Sequence, residues 1–484
     1  MNPLLTAPMP AVRMNSHRVG WTFKKSASEG KICMKTSFRS IVITAPIGVP
    51  LAGNGREDSR SRGVHDDLCA NFAYVESGDR RNLFIGLDLL GLKRGEADAI
   101  KQRVFASCGI APEQITIFAT HTHSGPNTLE IFRSFLTQED LAACGEYCAW
   151  LVERISAVVP ELVASAAESQ LAVGSDVVEG YSFNRRVILN DGSLKMVFED
   201  YDRAQIARLS GPNGDPVMHV FAFADLQDRV QGVIVRFTSH PAIVCGEDWL
   251  YTRDYVNALT VALQRRYGPE LVVLYANGAQ GNQVASDPYG PFVTGFAEAD
   301  RVGRGLAQGA IQIIDRLLLR RAFRREAELS AATARLTLPI RRISPEERER
   351  ALAVIRGAEH GAGAQLHGLD PRVEAESILE MADKEQENDE TLIQAIRLGG
   401  ALILTFPGEV FLEHAQSALR DLPVESSMIF GLANDYVGYI PTREAFAEGG
   451  YEVKTSFVSS RFDPSAGERL VSACRALATE LLAR

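Results

Sequence analysis

Two histidines separated by a single residue, His121 and His123, are the residues of this 484-residue chain whose types and spacing most clearly indicate chemistry. Residues at i and i+2 of a β-strand point to one face, so a His-x-His pair at a strand end offers two imidazoles to one side. Zinc binds neutral imidazole nitrogen at about 2.0–2.1 Å. Further ligands can come from His240 and Glu409, and Tyr439 can add a phenolic oxygen. The residues alone leave two other interpretations open, which are hydrogen bonding by the pair and core packing of His240.

These candidates stand at or near the carboxyl ends of short apolar runs typical of buried strands. Six such runs lead into polar or metal-competent groups, and they occupy residues 82–90, 114–121, 232–240, 270–276, 401–406 and 428–432. In α/β sheets, ligands bind at the carboxyl ends of the strands because the loops there converge on a crevice. The pattern therefore predicts that strand ends bring the candidate residues together.

The elements that must position these residues alternate between strand-like runs and longer helical stretches. This order predicts an α/β fold in which mixed sheets are flanked by helices. Helices are expected at residues 96–107, 138–168, 254–267, 295–320, 345–359 and 467–482. A break or kink is expected near Pro160, because proline removes a helical hydrogen bond. Residues 1–36 are predicted to be a flexible N-terminal extension, and the charged segment 320–389 an inserted subdomain of helices and a strand.

Composition excludes several classes of protein. The net charge of −10 argues against a general nucleic-acid-binding surface, which needs clustered basic charge. The seven cysteines are too few and too scattered for a disulfide framework. No apolar run approaches the roughly 20 residues of a transmembrane span, and the N-terminal residues lack the apolar core of a signal peptide. A cytoplasmic location is therefore expected.

Familiar catalytic motifs are missing from the sequence. There is no G-x-S-x-G nucleophile elbow, no phosphate-binding P-loop and no H-E-x-x-H helix. The turn NGAQGN at residues 277–282 lacks the third glycine of a dinucleotide-binding loop and the lysine of a P-loop. One interpretation is a tight turn that brings backbone amides to a substrate oxygen, and the other is a purely structural turn.

The motifs also resemble, in the same order, those of the neutral (or alkaline) ceramidases. The segment ATHTHSGP at residues 119–126 is similar to that family's A-T-H-T-H-S-G-P signature. The other similar segments are GVHD at 63–66, NR at 184–185, TSHP at 238–241 with Asp254 downstream, PGE at 407–409, NDYVGYIPT at 434–442 and YE at 451–452. The resemblance implies a ceramidase-like zinc hydrolase domain over residues 37–484.

The resemblance further implies how the site works. One zinc ion per chain would activate a water for attack on an amide carbonyl, and an arginine would stabilise the developing oxyanion. The implied zinc ligands are His121, His240, Glu409 and Tyr439, the implied catalytic residues in the pocket are His123, Arg185 and Tyr451, and the implied substrate contacts include His65 and Asn434.

Two departures from the family pattern indicate a different substrate. The family loop N-x-G-D-V-S-P-N carries an active-site serine, and Val284 stands at that position here. Either another group replaces the serine, with Asn282 as the expected catalytic residue and Gln283 and Ser286 as substrate contacts, or the protein acts on a different substrate. The chain also ends after the last predicted helix, so the C-terminal β-sandwich domain of the larger ceramidases is expected to be absent.

Three functions are consistent with this pattern. The leading hypothesis is a zinc-dependent amidohydrolase that cleaves the C–N bond of an N-acyl small molecule, lipid-like ones included. The second is a zinc-dependent esterase or lactonase, since the same Lewis acid serves any polarised carbonyl. The third is a catalytically silent homologue that only binds its ligand. The sequence does not indicate an oligomeric state.

Overall fold

The computed structural model describes residues 33–53, 55, 58–244, 249–357, 370–384 and 386–484. Most of the predicted N-terminal extension, residues 1–32, lies outside these ranges. Its last two residues, Lys35 and Thr36, already belong to the first strand. Cys33–Arg484 forms one compact unit.

The predicted α/β class is confirmed, since strands and helices alternate through the described residues. The strands are β1 Lys35–Val42, β2 Gly63–Val64, β3 Cys69–Ser77, β4 Arg80–Leu87, β5 Ile115–Ala119, β6 Ala167–Glu168, β7 Gln170–Val177, β8 Phe183–Asn184, β9 Arg186–Leu189, β10 Leu194–Met196, β11 Ile206–Leu209, β12 Val217–Ala224, β13 Val230–Phe237, β14 Leu250–Tyr251, β15 Val272–Asn277, β16 Gln283–Val284, β17 Leu329–Pro339, β18 Asn388–Leu398, β19 Ala401–Thr405, β20 Glu409–Val410, β21 Ser426–Phe430 and β22 Tyr439–Ile440. The α-helices are α1 Arg94–Cys108, α2 Gln138–Ala164, α3 Tyr255–Tyr267, α4 Phe296–Leu319, α5 Pro345–Gly357, α6 Pro371–Lys384, α7 Leu412–Leu419, α8 Arg443–Glu448 and α9 Ala466–Leu482.

Three mixed sheets form the frame of the described part of the chain. Their strand orders are β5-β4-β3-β1-β6, β15-β13-β12-β7 and β17-β18-β19-β21. Each sheet contains one parallel pair, namely β4 with β5, β13 with β15, and β19 with β21. The strands of these three pairs correspond to the six apolar runs of the sequence, so the predicted strand ends are the carboxyl ends of parallel strands.

Both faces of these sheets are buried, because neighbouring residues of a strand point to opposite sides. On β13, Ile234 packs in a central core with Phe84 of β4 and Ile403 of β19, where the three sheets meet. Val233 and Val235 point the other way and pack with residues of α3 and α4. Similarly, α1 and α2 cover the first sheet, and α7 and α9 cover the third. The strands are thereby held rigidly, and their carboxyl ends can position side chains.

The segment 320–389 contributes to the frame as well as to its cover. Strand β17 pairs antiparallel with β18 over the whole of its length, and α5 packs against α6. Residues 358–369 lie outside the described ranges, and the division of the chain at 320–389 remains a prediction. Among the described residues, no helix is long and apolar enough to cross a membrane.

Candidate active site

Three imidazoles come together where the first two sheets end. His121 and His123 follow β5, His240 follows β13, and their candidate ligand nitrogens all lie within 4.8 Å of one another. The rings of His121 and His240 are buried, with centroids 4.9 Å apart. The geometry of the His-x-His pair differs from the expected strand end, because β5 stops at Ala119 and His121 has a φ of 77°. A sharp turn, instead of strand alternation, brings the two rings to one side.

The tautomers of two histidines follow from their hydrogen bonds. His121 Nδ1 donates to the carbonyl oxygen of Leu90 at 2.7 Å, and His240 Nδ1 donates to that of Gln283 at 3.0 Å. Because a carbonyl only accepts, each Nδ1 carries the proton and each Nε2 keeps its lone pair. Glu409 Oε2 lies 3.2 Å from His121 Nε2 and 3.0 Å from His240 Nε2. Three acceptor atoms therefore face one another, and Arg185 Nη1 lies 3.3 Å from one of them, His240 Nε2. A cation between the three atoms would stabilise this arrangement.

The pKa values of His123 and His240 agree with unprotonated Nε2 atoms. Burial, followed by the charge of Arg185, lowers the pKa of His240 to about 4. Burial and the two neighbouring imidazoles lower the pKa of His123 well below its usual value. Burial alone would raise the pKa of Glu409, but contact with His121 and His240 holds it well below the usual range. These directions favour a carboxylate at Glu409 and neutral imidazoles at His123 and His240, which are the protonation states that metal ions require of their ligands.

Phenols surround the carboxylate on its other side. Tyr436 donates its hydroxyl to Glu409 Oε1 at 2.6 Å. Tyr439 stands opposite Glu409 in the parallel β20–β22 pair, and its hydroxyl lies 3.2 Å from that of Tyr451. Burial, reinforced by the charge of Glu409, raises the pKa of Tyr439 well above its usual value. The predicted ligands Glu409 and Tyr439 are therefore brought to the same place.

Arg185 is a buried cation in the wall of this site. Its Nη2 donates to the Tyr439 hydroxyl at 3.2 Å, and its Nε donates to Glu452 Oε1 at 3.1 Å. Burial alone would lower the pKa of Arg185, but Tyr451, Tyr439 and Glu452 raise it well above the usual value. Glu452 also accepts a hydrogen bond from Arg186 at 2.8 Å, so one buried carboxylate is shared by two buried guanidinium groups.

These groups line a cavity of about 130 Å³. Eight of the residues predicted from the sequence contribute to its wall, and they are His121, His123, Arg185, His240, Ser286, Glu409, Tyr439 and Tyr451. Val284, which stands at the position of the expected serine, also lines the cavity. The polar residues of this wall, called the polar cluster below, are His121, His123, Arg185, His240, Glu409, Tyr439 and Tyr451. The wall also includes the loop in which the sequence departs from the family pattern.

Two other predicted residues support the site from outside the cavity. The Asn282 side chain accepts from the Leu412 backbone N–H at 3.0 Å and donates to Glu413 at 3.0 Å. The Gln283 carbonyl accepts the Nδ1 proton of His240, while its side chain donates to Asn282 at 3.1 Å. Neither side chain lines the cavity, so the structure gives no support to catalysis by Asn282 or substrate contact by Gln283.

The last two predicted contacts lie away from the cavity wall. Asn434 donates to Gln394 at 2.6 Å and accepts from the backbone N–H of Ile117, which ties two sheets together. His65 stacks on Phe296 with ring centroids 3.9 Å apart, and its Nδ1 lies 2.8 Å from an Asp66 oxygen. The structure therefore gives no support to substrate contact by Asn434 or His65.

The turn at residues 277–282 is explained by packing. Gly278 N–H donates to the Phe237 carbonyl and Gly281 N–H donates to the Val410 carbonyl, both at 3.0 Å. A Cβ on Gly281 would lie 2.5 Å from the backbone oxygen of Glu409, so only glycine allows this close approach. These two amides are occupied within the fold, which favours the structural interpretation of the turn.

Several residues of the site were not singled out from the sequence. Tyr436 lies within the segment NDYVGYIPT, two residues after Asn434, and Glu452 directly follows Tyr451. Both therefore belong to segments that resemble ceramidase motifs and could have been identified from them. The aromatic residues Phe132, Phe198 and Phe292 also line the cavity. They had no such signal, because an apolar residue is more often part of the core.

Comparison with known proteins decides the fold. No family model and no curated protein sequence matches the chain. The structure is similar to that of neutral ceramidase from Pseudomonas aeruginosa, with a TM-score of 0.70 and 20% identity over 93% of this chain and 75% of that one. The fold is that of a neutral ceramidase. A ceramidase complexed with C2 is also similar, with a TM-score of 0.69 and 19% identity over 94% of this chain and 76% of that one.

Within the ceramidase-like fold, the histidine group could hold a metal ion. His121 Nε2 and His123 Nε2 are buried and have no hydrogen-bond partner among the described residues. The three histidines form a ligand group by spacing, whereas the set implied by the sequence replaces His123 with Glu409 and Tyr439. The short contacts of Glu409 Oε2 with two imidazole lone pairs favour including Glu409 in the set. In either set, the orphaned nitrogens and the ionised carboxylate fit a cation.

Proposed function

We propose that this protein is a zinc-dependent hydrolase that cleaves the C–N amide bond of an N-acyl small molecule. The observation that carries the proposal is the convergence of the His121 and His240 lone pairs on the ionised Glu409 carboxylate, next to the buried cation Arg185 and in the wall of a cavity. Such a group is costly to bury without a function, because its acceptors face one another.

The proposed zinc ligands are His121, His240, Glu409 and Tyr439. When bound, zinc lowers the pKa of a water toward ~7 and polarises a carbonyl oxygen. The hydrogen bonds from the two Nδ1 atoms to backbone carbonyls hold each ring in the orientation and tautomer that a ligand needs. Tyr436 holds the second oxygen of Glu409 in a similar manner.

The side chains around the cavity transfer the proton, stabilise the developing negative charge and orient the substrate. A water attacks the amide carbon, and His123 Nε2, which has no partner within the described residues, accepts the proton released. The Arg185 guanidinium stabilises the negative charge that develops on the carbonyl oxygen. His123 then returns the proton to the amide nitrogen, the C–N bond breaks, and a carboxylic acid and an amine leave. The Tyr451 hydroxyl, next to that of Tyr439, can orient the substrate.

Two further observations support an amide substrate. The solved structures with this fold are described as ceramidases, enzymes of acyl amides, and a lipid-like acyl amide is included in the proposal on that ground. Val284 at the expected serine position offers no nucleophile. Direct attack by water therefore suits this chain.

Metal analysis and an activity panel test the proposal. Purified wild-type protein is expected to contain one zinc per chain and to hydrolyse N-acyl amino alcohols or N-acyl amino acids. His240→Ala and Glu409→Ala should lose both zinc and activity, whereas Glu270→Ala, an exposed residue before β15, should keep both. A metal-free double variant with wild-type activity would overturn the proposal.

Matched amides and esters separate the alternatives. Turnover of the ester only, in each matched pair, would replace the amidohydrolase with an esterase. Stoichiometric zinc without turnover of any amide or ester would instead indicate a catalytically silent binding protein.

A further inference from the structure

The wall of the cavity beside the polar cluster is apolar and largely aromatic. It includes Phe132, Phe198, Phe292, Ile243 and Val284. The Phe198 and Phe292 rings meet nearly edge to face, with centroids 6.3 Å apart. Phe198 also lies 6.2 Å from the ring of Tyr451, a residue of the polar cluster. An aromatic group of a substrate can join such an arrangement through its edge or its face.

The volume of the cavity limits what this wall can enclose. Pockets for drug-sized ligands usually measure about 300–1,000 Å³, and this cavity measures about 130 Å³. An apolar cavity of about 150 Å³ accommodates benzene in another protein. The enclosed space is therefore that of one six-membered ring or a short chain, and most of a long alkyl chain would lie outside it.

The charges in the wall limit the substrate further. Apart from the histidines and phenols, Arg185 and Glu409 are the ionisable residues among the described lining residues. Arg185 is already paired with Glu452, and Glu409 with two imidazoles and a tyrosine hydroxyl. A charged substrate group placed against the aromatic part of the wall would have no counter-charge there, because Phe132, Phe198 and Phe292 carry none, and burying an unpaired charge is strongly unfavourable. The group that lies against these rings is therefore uncharged.

The backbone holds the aromatic wall in place. Phe132 adopts a φ of 58°, a left-handed conformation that costs a non-glycine residue free energy. A Cβ on Gly55 would lie 2.7 Å from the Phe132 ring, so the glycine allows that ring to sit directly against the chain. Strain of this kind persists where the surrounding structure fixes the residue, and it is common at ligand-binding sites.

We infer, on the basis of the proposed hydrolase function, that the substrate carries one compact uncharged group, the size of a single ring, on one side of its amide bond. This group lies against Phe132, Phe198 and Phe292 while the amide faces the polar cluster. Preferred substrates are then N-acyl amides with a ring or a short branched chain, and long-chain lipid amides are poor substrates.

Two substrate series with the zinc-loaded wild-type protein test this inference. One series varies the acyl group on a constant ethanolamine, as acetyl, hexanoyl, benzoyl and hexadecanoyl. The other varies the amine on a constant acetyl group, as ethyl, benzyl and hexadecyl. In one of the two series, kcat/KM should peak at the ring-sized member and fall about tenfold or more for the sixteen-carbon member. Values that rise or stay level up to sixteen carbons in both series would overturn the inference.

Substitutions in the wall give a second test. Phe132→Ala should enlarge the cavity and reduce the ratio of ring to long-chain kcat/KM about tenfold. Phe132→Leu, which retains more of the apolar volume, should reduce it less. Phe105→Ala on α1, half-exposed and away from the cavity wall, should leave the ratio unchanged. An unchanged ratio in both Phe132 variants, with folding confirmed by circular dichroism, would contradict the inference.

Binding distinguishes the failure of this inference from that of the hydrolase proposal. The neutral amides benzamide and acetamide can be compared by calorimetry without turnover. Tighter binding of benzamide with no hydrolysis of any amide would refute the hydrolase and leave the ring-sized site in place. Hydrolysis without a preference for ring-sized groups would refute only the inference.

Discussion

Glu452 offers a sharp test of how the buried charges are balanced. Its side chain is wholly buried and pairs with Arg185 at 3.1 Å and Arg186 at 2.8 Å, both almost wholly buried themselves. Removing one partner of a buried ion pair costs about 3–5 kcal/mol, because the remaining charge stays desolvated. Glu452→Gln keeps the shape and one acceptor oxygen, but it leaves Arg185 without a carboxylate and Arg186 with only the longer 3.7 Å contact to Glu448. We expect the free energy of unfolding to fall by about 3 kcal/mol or more.

Urea denaturation of the zinc-loaded protein at pH 7 measures this change. Glu448→Gln is the matched control, because Glu448 is partly exposed and pairs with Arg186 at 3.7 Å and with the exposed Arg208 at 2.8 Å. We expect a loss below about 1 kcal/mol for the control, as for other solvent-accessible pairs. Glu452→Gln should also lower kcat, since Arg185 loses the carboxylate that orients it. Equal stability of the two variants would refute this account of the buried charges.

Three further predictions concern Tyr436, Gly53 and Asp254. Tyr436→Phe removes the 2.6 Å hydrogen bond to a proposed ligand, so the Kd for zinc in chelator competition should rise about 10–100-fold, whereas Tyr267→Phe, which loses a hydrogen bond to Asp315 away from the cavity, should change it little. Gly53→Ala places a Cβ 2.2 Å from a backbone oxygen, so thermal denaturation should show a loss of about 1–3 kcal/mol. Gly95→Ala on α1 meets no atom within 4 Å and should be neutral or stabilising by about 0.5–1 kcal/mol. Burial raises the pKa of Asp254 from 3.8 to about 7, so the wild type loses roughly 1.4 kcal/mol per pH unit as pH rises between those values. Asp254→Asn should remove this loss, which denaturation at pH 5 and pH 7 would show as a difference of about 2–3 kcal/mol.

Each of these predictions has an outcome that contradicts it. Equal loss of zinc affinity in the two tyrosine variants would mean that the hydroxyl contact with the ligand is unimportant. A Gly53 variant as stable as the Gly95 variant would mean that the loop can move away from the site. An Asp254→Asn variant with the pH dependence of the wild type would show that this carboxyl is ionised in the native state at pH 5.

The strands of the three sheets were predicted well from the sequence, because an uninterrupted apolar run indicates a buried strand. All six runs became strands of the three parallel pairs, since strands buried on both faces need apolar residues at every position. The helix beginning at Gln138 does not show the break that was one of the two predictions for Pro160. It continues through Pro160 to Ala164, while Leu151, Ile155 and Val159 pack against the first sheet. Tertiary packing there outweighs the local preference of proline.

The sequence named most of the residues that the structure brings together, but it did not give their geometry. The histidines and Glu409 were found because they follow apolar strand runs, and Arg185 because the segment NR at 184–185 resembles a ceramidase motif. The left-handed turn at His121 could not be found in this way, since it depends on Leu89 and Leu90 of the neighbouring strand end. The position of Asn434 away from the cavity could not be predicted either, because its hydrogen-bond partners come from elements far away in the sequence.

The long chain distances within the site have a consequence for folding kinetics. His240 and Glu409 are 169 residues apart, and Arg185 and Glu452 are 267 apart. Contacts between such distant residues form late, because a large loop must close before they are gained. A metal ion bound by these residues would therefore slow unfolding and leave the folding rate nearly unchanged. In a cell, the ion would extend the lifetime of the finished protein without helping the nascent chain to fold.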